Sequence, residues 1–232
     1  MSPPGRPKGE FRSAQHEGTP VTAVVFDFGA VLFEWQPMRL LQQTVPELAP
    51  DEAAARALAP RIFESFNLSS DWAQFDLGKV DEAALAERIG RRIGVAPALI
   101  RRVIDGIPAH LQPQGAAVAL LRRLRAAGHR MYYLSNMPEP YAAHLENENG
   151  FVGEFADGIF SARVGLMKPQ PEIFALAVSR FALDPAQTLF IDDHAGNIAA
   201  ARAQGWQGLR FIDAAQCAAD LTATGWLADS AG

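Results

Sequence analysis

The chain has 232 residues, with 21 Lys and Arg against 26 Asp and Glu, a net charge of −5 and a single cysteine. That length suits one α/β domain carrying an insert, and the mildly acidic balance carries no basic footprint for nucleic acid. Cys217 alone excludes an internal disulfide and fits a reducing cytosol, and no apolar run approaches the ~18–20 residues of a membrane helix, so the reading is cytoplasmic.

Residues 1–20, with Pro, Gly and scattered charges, read as a disordered leader. Thr22 to Phe26 is a short buried strand that delivers Asp27 at its carboxyl end, where a Gly29-Ala30 turn begins. Element lengths then keep the chain away from the sheet for about a hundred residues. Residues 34–110 read as a helical cap domain, a natural lid over the Asp27 carboxylate. Pro46, Pro50 and Pro60 punctuate its first part, and Asp51-Glu52 marks a helix start. Residues 71–79 read as an aromatic turn ended by Gly78. Asp81 caps a helix to about Ile93, and another covers Pro97 to Gly106. Trp35, Trp72 and Phe75 read as packing residues.

Residues 21–33 and 111–232 read as the core domain. Ala117, Leu120, Leu121 and Leu124 fall at i, i+3, i+4, i+7, with Gly128 as the stop. Arg130 to Leu134 is a second strand ending in Ser135-Asn136, and a helix from about Tyr141 to Glu148 leads to a third strand, Gly158 to Ala162. Lys168-Pro169 precedes a helix with Phe174, Ala177, Val178 and Phe181 on its inner face. Thr188 to Ile191 is a fourth strand ending in Asp192-Asp193; a helix from Asn197 to Gln204 and a fifth strand, Gly208 to Ile212, follow. Cys217 falls in a helical tail as a packing residue. Strands alternating with helices of this length predict a Rossmann-like parallel sheet with helices on both faces.

In such sheets ligands sit beyond the carboxyl ends of the strands, and polar residues stand there in order: Asp27, Ser135-Asn136, Lys168 and Asp192-Asp193. Two adjacent acids repel each other, and a cation or a lysine is the usual remedy. Mg²⁺ takes oxygen ligands and keeps some waters. Asp27 and Asp193 offer it carboxylates, Gly29 offers a carbonyl, and Asp192 suits metal-bound water or the shell behind it. Lys168 supplies a point charge, and the Ser135 hydroxyl and Asn136 N–H can donate to a phosphoryl oxygen. His194 and Asn197 follow the acids without an assigned role.

This order of residues resembles the haloacid dehalogenase-like superfamily, from Val24 to Ile212, with the helical insert in the place of the family's first-position cap. The resemblance implies an Mg²⁺-dependent phosphomonoesterase acting on a small phosphorylated metabolite. Asp27 would be the nucleophile, Lys168 its catalytic partner, and Ser135, Asn136 and Lys168 the phosphate-binding groups. Most phosphatases of the family carry a second Asp two residues after the nucleophile, as acid and base; here that position is Gly29. True haloacid dehalogenases lack it too, because halide leaves without a proton, so a metal-free 2-haloacid dehalogenase is the rival expectation. Asp192-Asp193 favours the phosphatase, and the run Asp27 to Leu32 is similar to a bacterial subgroup of sugar-phosphate phosphatases. A catalytically weak phosphate-binding or regulatory protein is the third expectation. Oligomeric state is not legible.

Overall fold

The computed structural model describes residues 22–64 and 67–228; the leader read over residues 1–20 lies outside the described residues. Ala23–Phe26 (β1), Arg130–Ser135 (β2), Asp157–Phe160 (β3), Thr188–Asp192 (β4) and Gln207–Arg210 (β5) form one sheet in the order β3-β2-β1-β4-β5. Every neighbouring pair is parallel. This is the architecture expected from the alternation of strands and helices.

Side chains alternate across a strand, so the four buried residues of β1 feed two apolar clusters. Val24 and Phe26 join Leu120, Leu121, Leu124, Leu145 and Leu221 in one, while Ala23 and Val25 join Phe174, Ala177, Phe190 and Ala201 in the other. Each large apolar side chain so buried contributes ~1.5–3 kcal/mol relative to exposure. The helices that cover the sheet are Gly115–Ala126, Glu139–Glu148, Ser161–Val164, Pro171–Phe181, Ala195–Ala203 and Ala214–Ala223. Numbered after the five helices that precede them, these are α6 to α11.

Those five lie between β1 and β2: Pro37–Thr44 (α1), Glu52–Phe63 (α2), Asp71–Asp76 (α3), Glu82–Ile93 (α4) and Pro97–His110 (α5). The chain leaves for them and returns side by side. Glu34 N–H donates to the Gln112 carbonyl at 2.8 Å, and Gln114 N–H donates to the Leu32 carbonyl at 2.8 Å. Their apolar residues, among them Leu41, Ile62, Ile89 and Val103, continue the cluster that contains Val24 and Phe26.

Several elements differ from the sequence expectation. The stretch read as a turn over 71–79 holds α3, capped by the Ser70 hydroxyl, which accepts from Ala73 N–H. α5 continues past Gly106 to His110, and its glycine serves packing. A Cβ there would lie 2.6 Å from Thr44 Cγ2 on α1. β3 stops at Phe160 because Ser161 opens α8, and β5 covers Gln207–Arg210 rather than 208–212.

β1 sits between β2 and β4, with β3 and β5 at the two edges. The order therefore reverses between β1 and β4, and their carboxyl ends open the crevice in which open α/β sheets bind ligands.

Candidate active site

The β1 and β4 ladders stay paired to their tips. Asp27 N–H donates to the Ile191 carbonyl at 2.9 Å, which sets Asp27 beside Asp192-Asp193. The carboxylate oxygens of Asp27, Asp192 and Asp193 come within 4.8 Å of one another. Lys168, 2 % exposed, lies between two of them, its Nζ 2.8 Å from Asp27 Oδ1 and 2.7 Å from Asp192 Oδ2.

Asp192 is fully buried and fully occupied. Besides Lys168 it accepts from Asn197 Nδ2 at 3.1 Å on each oxygen and from His194 N–H at 2.8 Å. Its carboxylate therefore orients Lys168. Asn197, left without a role in the sequence, holds Asp192 in turn. Asp27 Oδ1 accepts from Phe28 N–H at 2.7 Å as well as from Lys168, so among the described residues Oδ2 is the oxygen without a hydrogen bond. Asp193 is half-buried and lines the cavity.

The charges do not balance, because three carboxylates face one ammonium. Burial lifts the Asp27 carboxyl to about 7; Lys168 opposes the rise, and the charges of Asp192 and Asp193 add to it. Asp193 is raised by burial and then by repulsion from Asp192. Burial by itself would lower the Lys168 ammonium, but Asp192 and Asp27 outweigh it and keep the amine charged. Surplus negative charge on oxygen donors at one point fits a hard divalent cation such as Mg²⁺.

Ser135 ends β2, 1 % exposed, and both Ser135 and Asn136 line the cavity. The Asn136 side chain has a task that the sequence did not reveal. Its Oδ1 accepts from Lys168 N–H at 2.8 Å and its Nδ2 donates to the Lys168 carbonyl at 2.9 Å. That double bond pattern fixes the lysine backbone and leaves the Asn136 N–H for other uses.

The cavity above these groups has a volume of about 210 Å³. Asp27, Lys168 and Asp193 form its polar floor, while Trp35, Phe63 and Trp72 from the helical insert form an aromatic wall; Met137 and Tyr141 line it as well. The rings meet edge to face, Trp35 to Phe63 at 5.3 Å and Phe63 to Trp72 at 4.8 Å. Phe75 packs against Tyr141, as expected. Trp35 and Trp72, read as packing residues, both pack and line the cavity. Gly29 also faces it, and a Cβ there would meet no atom within 4 Å.

One acidic cavity residue escaped the sequence reading. Asp76, at the end of α3, lines the same cavity as Asp27 and Lys168. Burial pushes its carboxyl up to about 8; the Asp27 charge adds to the rise, and Lys168 opposes it. α3 is tied to the ends of the sheet. The Ser161 hydroxyl donates to the Asp76 carbonyl at 2.5 Å and accepts from Met137 N–H at 2.9 Å. Ala73 and Leu77 pack on Met167, the neighbour of Lys168. Gly78, at φ +69°, comes so close to Ala162 that a Cβ would lie 3.0 Å from its carbonyl oxygen.

The family model for haloacid dehalogenase-like hydrolases matches residues 21–205. A sesquiterpene phosphatase of Aspergillus oryzae is 30 % identical over 196 residues, covering 84 % of this chain and 92 % of that protein. A haloacid dehalogenase-like enzyme of Bacteroides thetaiotaomicron, solved with magnesium and inorganic phosphate, shares the fold. Its TM-score is 0.63 at 22 % identity, covering 82 % of this chain and 93 % of that one. The L-2-haloacid dehalogenase of Xanthobacter autotrophicus also shares it, with TM-score 0.63 at 20 % identity, covering 88 % and 83 %.

Proposed function

This chain belongs to the haloacid dehalogenase-like hydrolases, and on that premise we propose that it is an Mg²⁺-dependent phosphomonoesterase whose nucleophile is Asp27. The observation that carries this reading is the three carboxylates within 4.8 Å of one another around a single lysine. A halide-displacing site has no use for that surplus charge, which would repel the carboxylate of a haloacid. A phosphatase site uses it to hold a cation.

Asp27, Asp193 and the Gly29 carbonyl are the groups that would hold Mg²⁺, with Asp192 behind them tying down Lys168. Bound there, the ion would neutralise the phosphoryl oxygens and withdraw charge from them. Asp27 Oδ2, the oxygen left without a hydrogen bond, attacks phosphorus while Oδ1 stays held by Phe28 N–H and Lys168. Lys168, the Ser135 hydroxyl and the Asn136 N–H bind the phosphoryl oxygens. The aspartyl phosphate so formed is then hydrolysed by water.

The wall formed by Trp35, Phe63 and Trp72 supports an apolar alcohol portion. A sugar, the group expected from the sequence, presents hydroxyls that lose their hydration against such a wall without gaining partners. The similarity to a sesquiterpene phosphatase points the same way. The test is phosphate release from a sesquiterpene-type isoprenoid monophosphate and from glucose 1-phosphate, with Mg²⁺ and with chelator, beside chloride release from 2-chloropropionate. The reading expects Mg²⁺-dependent phosphate release, faster for the isoprenoid ester. Chelator-insensitive chloride release without phosphate release would replace it with the dehalogenase.

A further inference from the structure

An alkoxide is a poor leaving group unless it is protonated as it departs, and a positioned acid supplies ~10²–10⁴ in rate. The groups of the cavity floor already have tasks, with Asp193 assigned to the metal. Lys168 is held between Asp27 and Asp192, Asp192 is saturated by Lys168, Asn197 and His194 N–H, and the Tyr141 hydroxyl donates to the Ile104 carbonyl. Gly29 offers no side chain, and the space beside it is open. Asp76 is different. It lines the cavity, and among the described residues its carboxyl makes no ion pair and takes no hydrogen bond.

Resting on the phosphatase reading, we infer that Asp76, carried in by the helical insert, is the catalytic acid that protonates the departing alcohol. Its place is built rather than incidental. The Ser161 hydroxyl, the Ala73–Leu77–Met167 cluster and the close passage of Gly78 over Ala162 all fasten α3 to the loops that carry Asn136 and Lys168. Burial, which favours the protonated carboxyl, suits the role.

The step balances. As the Asp27 Oδ2–phosphorus bond forms, the bond from phosphorus to the alcohol oxygen breaks, and the Asp76 proton passes to that oxygen. The products are the free alcohol, the aspartyl phosphate and an Asp76 carboxylate. In the second step that carboxylate takes a proton from the attacking water, the Asp27–phosphorus bond breaks, and inorganic phosphate leaves with Asp76 reprotonated.

The experiment compares an alkyl phosphate with 2,4-dinitrophenyl phosphate, whose leaving group needs no proton, on wild-type protein and Asp76→Asn. The expected result is a loss of ~10²-fold or more on the alkyl ester, while the first-turnover burst of dinitrophenolate, which precedes the water step and needs no acid, keeps nearly its wild-type rate and shows that the variant is folded. Adding Gly29→Asp, which places an acid in the open space beside the nucleophile, should recover part of the alkyl rate. A dinitrophenolate burst slowed as much as the alkyl rate would make Asp76 a structural residue, and no loss on the alkyl ester would remove it from the reaction; both overturn the assignment and leave the phosphatase standing. A wild-type protein that releases phosphate from neither ester overturns the phosphatase reading and the assignment together.

Discussion

Lys168 Nζ lies 2.8 Å from Asp27 Oδ1, and the lysine side chain is only 1 % exposed. So buried a pair is costly to break from one side, because the remaining charge stays unpaired. Here two carboxylates, Asp27 and Asp192, would lose their counter-ion at once.

Lys168→Met is therefore expected to lower unfolding free energy by about 3 kcal/mol and to lower turnover by ~10²-fold or more. Lys168→Arg should restore little of either, since a planar guanidinium does not fit a gap shaped for an ammonium. Urea unfolding and steady-state kinetics on the two variants check this. A Lys168→Met protein with unchanged midpoint would mean that the pair contributes nothing.

Asp193 is the acid of the cluster with room to bind something else. Asp193→Asn should shift the Mg²⁺ concentration for half-maximal activity upward by ~10-fold or more, the usual scale for weakening a metal site. It should leave the unfolding midpoint nearly unchanged, because Asp193 is half-buried and free of the Lys168 ion pair. An unchanged Mg²⁺ requirement would move the ligand role elsewhere.

Trp72 stands in the aromatic wall, edge-on to Phe63. Trp72→Ala should raise KM for an isoprenoid monophosphate by ~10-fold, through lost apolar contact worth about 1–2 kcal/mol, and change KM for inorganic-like esters such as methyl phosphate little. Parallel KM measurements decide it. Equal effects on both esters would show that Trp72 shapes the site without touching the alcohol.

How much of this was legible in the sequence depends on where the information lies. β1 and β4 could be read because their β-branched and aromatic residues are buried on both faces, and Asp27 and Asp192-Asp193 follow directly. α3 was missed because six residues make fewer than two turns, too short for periodicity, although Ser70 gave a cap signal. Asp76 could not be found at all. Nothing beside it in sequence is chemical, and only the contacts of Ser161, Met167 and Ala162 bring it to the cavity of Asp27. The Asn136 and Asn197 side chains likewise take their tasks from tertiary partners, Lys168 and Asp192.

The end of α9 carries a backbone cost away from the site. Ala182 adopts φ +50° as the left-handed cap of that helix, a conformation that disfavours a Cβ by about 1–2 kcal/mol. Part of any gain is lost to the extra freedom of glycine in the unfolded chain. Ala182→Gly should raise stability by about 0.5 kcal/mol with turnover unchanged. A lowered unfolding midpoint would contradict the backbone argument.

The proposed mechanism requires Asp27 to become covalently phosphorylated. The direct measurement is an acid quench within a turnover of a phosphate-labelled ester, followed by isolation of the peptide that contains Asp27. Label is expected on Asp27 in wild-type protein, released by base, and none in a folded Asp27→Asn variant. Phosphate release by wild-type protein with no trapped label, or full turnover by Asp27→Asn, would contradict it.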